Sequence, residues 1–338
     1  MSSLGPLVLD PILVAKPWGG RRLQRLGKRP SSDQPPGTVF GESWEVADLP
    51  GGALSASSAS EQGRTRVTDG PHRGQTLRRL IAEEGQALLG SARPTADGDF
   101  PLLLKLLDAA EHLSVQVHPD QSRSASRPEW AAKTESWYVL DAAPGSVIFK
   151  GLRPGTGRAE VQATAGTTDL VGLLDRIEVQ PGEFHHLPAG IIHALGAGVT
   201  VAEVQTPSDT TFRLYDWTDE YDRPPRRLQI RTALEALKLD QPGASYHSPM
   251  KGEGNRLLVH NSHYWVREHR ATGRTIALKK IPELRILALA GGRATIESPD
   301  HPPLEMRTAA TAIIPAAVAS SIQVTTPRTA TMLEIGLA

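Results

Sequence analysis

The chain has 338 residues and carries 37 Lys plus Arg against 37 Asp plus Glu, a net charge of zero. There is no overall basic field for nucleic acid, so an anionic ligand must be held by individually placed cations. The absence of cysteine excludes disulfides and thiolate metal sites, leaving nitrogen and oxygen as ligand atoms, while 31 Gly and 27 Pro suit a turn-rich β chain.

The N-terminal MSSLGPLVLDPILVAKPWGG lacks a basic region followed by an unbroken apolar run. No stretch approaches the roughly 18 consecutive apolar residues of a membrane helix. A cytoplasmic protein with no membrane or nucleic-acid partner is the expectation. Residues 1–60 read as short strands broken by Pro and Gly, with a turn at Trp18-Gly19-Gly20 and a strand in GESWEVADLP. A first helix is expected from Thr76 to Leu89, with Thr76 as N-cap and Leu77, Leu80, Ile81 and Leu88 near helical spacing. The run LSVQV (113–117) reads as a strand. From 134 to 205, ESWYVLD, SVIFKG, DRIEVQPGEFHHLP and GVTVAEVQ follow one another with no helical pattern between them, which implies a sandwich or barrel. A second helix is expected over 225–239, where Ile230, Ala233, Leu234 and Leu237 form one apolar face. The polar segment 241–255 reads as a linker. Strands then resume, including a hairpin-like RILALA-GG-RATIES. PAGIIHALGAGVTV (188–201) is echoed by PAAVASSIQVTT (315–326), with His193 and Ser320 each five residues after the proline. Two related barrels fit this repeat, the second having lost its ligand.

Four segments concentrate polar groups that a half-buried strand does not need for folding. Alternation over 113–118 puts Ser114, Gln116 and His118 on one face and Val115 and Val117 on the other. A lone His on a strand is usually a hydrogen-bonded structural residue; the Gln-x-His pair is what favours a ligand. Lys133 and Glu135 point to one side just before WYVL, and taken alone are equally well a surface ion pair. Residues 182–193 fit G-x5-P-x-G-x2-H, with Gly182, Pro188, Gly190 and His193 in register. This resembles the second signature motif of the cupin fold, whose histidine lies on an inward-facing strand and binds metal. His185 and His186 fall outside the pattern. In 199–217, Glu203 and Gln205 share one face of a strand. Arg213 follows on the next, between Phe212 and Leu214, where its charge must be paired or must meet an anion. A His-Glu-His set with a Gln suits Zn²⁺, with Mn²⁺, Fe²⁺ or Co²⁺ as replacements.

Taken together, AKPWGGRRL (15–23), GESWEVAD (41–48), FPLLLKLLDAAEHLSVQVHPD (100–120), KTESWYVL (133–140), LPAGIIHALG (187–196) and EVQTPSDTTFRLYDW (203–217) resemble the type I mannose-6-phosphate isomerases, in their shorter bacterial form. The resemblance implies an all-β chain of two tandem cupin (jelly-roll) β-barrels with a few short helices. The catalytic barrel would occupy 1–240, the linker 241–255, and a degenerate cupin-like β-domain 256–338. It implies one zinc per chain on Gln116, His118, Glu135 and His193, an active-site arginine at Arg213, Lys133 and Glu203 lining the sugar site, and Trp18 as a further substrate contact. Two positions depart from the family: Thr134 stands where the family often has Pro, and Ala132 where it has His.

The implied reaction is an aldose–ketose isomerisation between mannose 6-phosphate and fructose 6-phosphate through an enediol. Arg213 would stabilise the enediolate or position the sugar. Glu203 and Lys133 are the candidate proton carriers, and Lys105, Arg123 and Arg127 the candidate cations for the phosphate. A non-catalytic sugar-sensing cupin would not need Arg213, Lys133 and Glu203 together. An isomerase or epimerase for another phosphosugar or a free sugar is the nearer alternative. A monomer or weak homodimer is expected.

Overall fold

A computed structural model describes residues 4–30, 34–49, 63–127, 129–240 and 245–338. Strands dominate, and the chain divides into two compact units: residues 13–43 with 106–249, and residues 1–12 with 44–105 and 250–338. This division differs from a linear boundary near 240. In the second unit Leu7 pairs antiparallel with Ile313, exchanging two 2.8 Å backbone hydrogen bonds, so the N-terminus folds with the C-terminal strands. Local periodicity carries no trace of so distant a pairing.

Two sheets carry the strands of the unit containing residues 106–249. One has seven strands, in the order Ser245–His247, Phe184–Leu187, Glu135–Ala142, Val199–Gln205, Leu103–Asp108, Phe40–Val46 and Ile12–Gly20. The other has five: Phe212–Tyr215, Val115–Val117, His193–Leu195, Val147–Leu152 and Leu174–Glu178. Both are open, and among the described residues neither closes into the expected barrel. Residues of the two sheets share a core that includes Trp18, Trp137, Val139, Ile148, Leu195 and Val201. The five-stranded sheet buries its other face, with Val115, Val117, Phe149 and Phe212, against Val161 and Ala233 of the helices Arg158–Thr164 and Ile230–Ala236. That helical cover is what turns the alternate residues of these strands toward the seven-stranded sheet.

Several local expectations change. The stretch between 152 and 174, expected to lack helix, holds Arg158–Thr164 and a 3₁₀ turn at Thr168–Leu173, too short to register as a periodic pattern. The 225–239 helix is confined to Ile230–Ala236. Arg123, a candidate phosphate cation, lies in a helix, Gln121–Ser126, whose first turn is capped by Asp120 Oδ1 accepting the Arg123 N–H at 3.0 Å. Of the expected linker, 241–244 lie outside the described residues, while Ser245–His247 is a strand paired with Phe184–His186.

The unit containing the C-terminus also holds two sheets. One runs Gly254–His260, Tyr264–Ala271, Ala330–Leu337, Arg285–Gly291, Thr311–Ile314; the other Thr275–Ile276, Gln323–Thr325, Arg293–Ser298, His301–Arg307. Leu287, Leu289, Ile296, Met306, Val324 and Met332 belong to one core contributed by both. RILALA and RATIES are therefore not a hairpin: Gly292, at φ 88, turns the chain from one sheet into the other. Ser320 does not begin a strand as His193 does, but caps the C-terminus of the helix Ala316–Ala319. The helix expected from Thr76 to Leu89 is two pieces. Thr76 caps Leu77–Glu84 as expected, Gly85 at φ 44 stops it, and Gln86–Leu89 forms a separate turn. No helix among the described residues is long and apolar enough to cross a membrane.

Candidate active site

The site lies between the two sheets of the first unit. Glu135 opens the Glu135–Ala142 strand, His193 opens His193–Leu195 in the facing sheet, and His118 follows directly on Val115–Val117. The G-x5-P-x-G-x2-H segment works through its turn. Gly190, at φ 93, occupies the left-handed region and donates its N–H to the His118 carbonyl at 2.9 Å, tying the His193 turn to the His118 backbone.

His118, Glu135 and His193 are buried, and each places one ligand atom within 4.8 Å of the others. Glu135 Oε2 lies 3.3 Å from His118 Nε2 and Glu135 Oε1 3.1 Å from His193 Nε2. The tautomers follow from the neighbours. Nδ1 of His118 lies 2.8 Å from the Thr210 carbonyl and Nδ1 of His193 lies 2.9 Å from the Ile191 carbonyl. A carbonyl only accepts, so both Nδ1 atoms donate and both Nε2 atoms carry lone pairs. Burial first, then the Lys133 charge, lowers the His118 pKa to about 3, which keeps that imidazole neutral. Burial would raise the pKa of Glu135, but the adjacent Lys133 ammonium outweighs it and holds the carboxyl well below the usual range.

Two imidazole lone pairs and a carboxylate thus converge in a place without water contact. His118 Nε2 and both Glu135 oxygens are buried without a well-formed hydrogen bond. Acceptors facing acceptors in a low-dielectric interior repel unless a cation sits among them, and backbone carbonyls behind both histidines are the usual support for metal-binding imidazoles. The donor set fits a divalent metal ion. Gln116 presents its amide nitrogen 3.3 Å from His193 Nε2, and half a turn of the amide presents its oxygen instead.

Lys133 Nζ lies 2.7 Å from Glu135 Oε2. Glu203, on the same face as Glu135, accepts the indole N–H of Trp137 at 3.0 Å. Thr134 uses the backbone N–H that proline would lack, donating it to Thr206 Oγ1 at 3.2 Å, so the departure from the family pattern is built into the local bonding. Arg213 is directly paired with Gln116 and so shares its face. Burial and the charge of Arg226 lower its pKa, and its Nε has no hydrogen-bond partner. Asp216 is already taken up by Arg226, at 2.8 Å, and by Arg223. Trp18 packs into the inter-sheet core. Lys105 lies on the Leu103–Asp108 strand of the seven-stranded sheet, its ammonium 4.5 Å from the centroid of the Trp44 ring. Arg127 pairs with Glu235 at 3.0 Å and stacks on Trp130. His186 bonds Ser136 and His185 bonds Glu183, so neither joins the ligand cluster.

Sequence reasoning missed Lys150, which shares a face with His193, and the Trp137–Glu203 bond. The signal for Lys150 was present: a charged residue closing the apolar run SVIFKG, the same feature that marked Arg213.

The family model for the phosphomannose isomerase type I catalytic domain matches residues 8–146, which contain Gln116, His118, Lys133 and Glu135. The mannose-6-phosphate isomerase of Streptococcus mutans serotype c is 32% identical over 295 residues, covering 86% of this chain and 87% of its own. Among solved structures, the mannose 6-phosphate isomerase of Bacillus subtilis is 28% identical with a TM-score of 0.78, covering 98% of this chain and 99% of its own. A mannose 6-phosphate isomerase bound with zinc and yttrium is 17% identical with a TM-score of 0.70, covering 98% of this chain and 99% of its own, and attests the fold. With identity sustained over most of both chains and the polar cluster in place, this chain belongs to the type I phosphomannose isomerase family.

Proposed function

We propose that this chain interconverts mannose 6-phosphate and fructose 6-phosphate with one zinc ion held by His118, Glu135, His193 and Gln116. The convergence of two Nε2 lone pairs on a buried carboxylate carries the reading. When bound, the zinc supplies a Lewis acid for the oxygens at C1 and C2 of the open-chain sugar. The rest is work for the protein. One proton must leave C2 of the aldose, or C1 of the ketose, and a proton must return to the neighbouring carbon as the hydroxyl hydrogen moves between oxygens. Glu203, whose carboxylate is oriented by Trp137, and Lys133, beside Glu135, are the two groups placed to carry it. Arg213, with Nε free of a protein partner, is the donor for the negative charge that develops on the enediol oxygens. Burial excludes bulk water that would exchange the proton or strand the intermediate. We read each pair of core-sharing sheets as an opened cupin jelly roll, the second without ligands.

The test is an isomerisation assay with a panel of phosphorylated and free aldoses, before and after chelation and zinc restoration. Conversion of mannose 6-phosphate that disappears on chelation and returns with zinc is expected. Preference for another phosphosugar, or for free mannose, would replace the substrate assignment.

A further inference from the structure

The register of the five-stranded sheet sets four polar residues in one row across adjacent strands: Arg213 pairs with Gln116, Gln116 with His193, and His193 with Lys150. Directly paired residues of antiparallel strands project to the same face. Ile148 and Leu195, one alternation further along, lie in the inter-sheet core, so this face is the inner one. Lys150 is 9% exposed, and its ammonium reaches across to the edge strand of the seven-stranded sheet, donating to the Ser245 carbonyl at 2.8 Å. That is one bond for a group with three donors. Among the described residues no carboxylate lies within ion-pair distance of it. Glu183 is engaged elsewhere, accepting from His185 Nε2 at 3.1 Å and from the Tyr246 hydroxyl at 3.2 Å. With Nε2–H donated to Glu183, His185 Nδ1 is left as a buried acceptor without a partner.

A buried ammonium without a counter-ion is costly, and persists where an anion arrives to meet it. We propose that Lys150 forms the phosphate subsite of this site, receiving the phosphate monoester of the sugar whose C1–C2 end lies at His118, Glu135 and His193. This rests on the isomerase reading above and deepens it. The spacing agrees. Lys150 is one strand from His193, roughly 5 Å of backbone separation, and its side chain extends further toward the sheet edge. A hexose 6-phosphate spans such an offset between its reacting carbons and its phosphorus. Tyr246, half exposed beside Ser245, puts this end of the row close to solvent, where a phosphate can enter. His185 Nδ1 supplies an acceptor for a hydroxyl of the same ligand.

The experiment compares wild type, Lys150→Met and Lys150→Arg in the zinc-loaded enzyme, with inorganic phosphate as a second probe. In Lys150→Met the KM for mannose 6-phosphate should rise on the order of 30-fold, with kcat within about threefold. The inhibition constant of inorganic phosphate should rise in parallel, and Lys150→Arg should recover most of both. Removing an unpaired buried charge does not threaten the fold, and the melting temperature checks this directly. Unchanged KM and unchanged phosphate inhibition in a folded Lys150→Met would overturn the subsite while leaving the isomerase reading standing. Equal loss of kcat with unaltered KM would overturn it too, since that pattern belongs to a merely structural residue. If wild type turned over no phosphosugar, calorimetric binding of inorganic phosphate would decide separately. Lys150-dependent binding would keep the anion site while the isomerase reading fell, and Lys150-independent binding, or none, would remove both.

Discussion

Lys133 Nζ stands 2.7 Å from Glu135 Oε2, the same oxygen that lies 3.3 Å from His118 Nε2. One carboxylate oxygen therefore faces an ammonium on one side and an imidazole lone pair on the other. In the metal-free protein the lysine is what makes burial of the Glu135 charge tolerable. With zinc bound, the metal takes over that compensation. Breaking a buried pair from one side costs about 3–5 kcal/mol. Lys133→Met should therefore lose about that much in urea unfolding after chelation, and under about 1 kcal/mol when zinc-saturated. Equal losses in the two states would show that Glu135 does not face the metal.

The metal itself is countable. About one zinc per chain is expected in the wild type and nearly none in the His118→Ala/His193→Ala double variant, because two of the ligands that fix the ion are gone. Elemental analysis of the purified proteins measures both. Full occupancy in the double variant would remove the ligand assignment.

The site was more legible than the scaffold, for a physical reason. Gln116 and His118 stand out because Val115 and Val117 fix the alternation, and His193 because a left-handed glycine three residues earlier has few alternatives. These are local constraints. Which strands become neighbours is not local: RILALA and RATIES abut in sequence yet enter different sheets, and Leu7 finds Ile313 across almost the whole chain. Lys150 is marked locally by closing the apolar run SVIFKG, but what ties it to the site is its pairing with His193, a relation between strands that no single-strand pattern contains.

Acid should destabilise the chelated protein earlier than its carboxylates alone would. Burial lowers the pKa of His118 and His185 to about 3 and that of His186 to about 4, with the Lys150 charge adding to the shift in His185 and His186. In the unfolded chain each titrates near 6.5. Below that value the unfolded state binds protons that the folded state does not, so stability is flat above about pH 6.5 and falls as pH drops toward 4 and then 3. Each buried histidine adds at most about 1.4 kcal/mol per pH unit within its window. Urea midpoints between pH 7.5 and 4.5 should therefore fall steeply, and His185→Gln should flatten the slope by about that increment. An unaltered slope would mean that His185 takes up its proton while folded.

Arg213 decides the mechanistic reading. It shares a face with Gln116, its charge is partly desolvated, and its Nε has no partner. A structural ion pair with Asp216 or Glu203 is disfavoured, because Asp216 is taken up by Arg226 and Arg223 while Glu203 accepts from Trp137. A guanidinium held this way suits an anion that forms only during the reaction. Lysine keeps the charge but loses the planar fork, and with it the directed donors. Arg213→Lys should therefore lower kcat by roughly 10²-fold, the scale of losing one oxyanion donor, with zinc content and melting temperature little altered. If Arg213 were instead a packing residue, the variant would lose stability and the surviving folded fraction would turn over normally. Turnover per zinc-loaded folded molecule separates these outcomes, and a near-wild-type value would take Arg213 out of the chemistry.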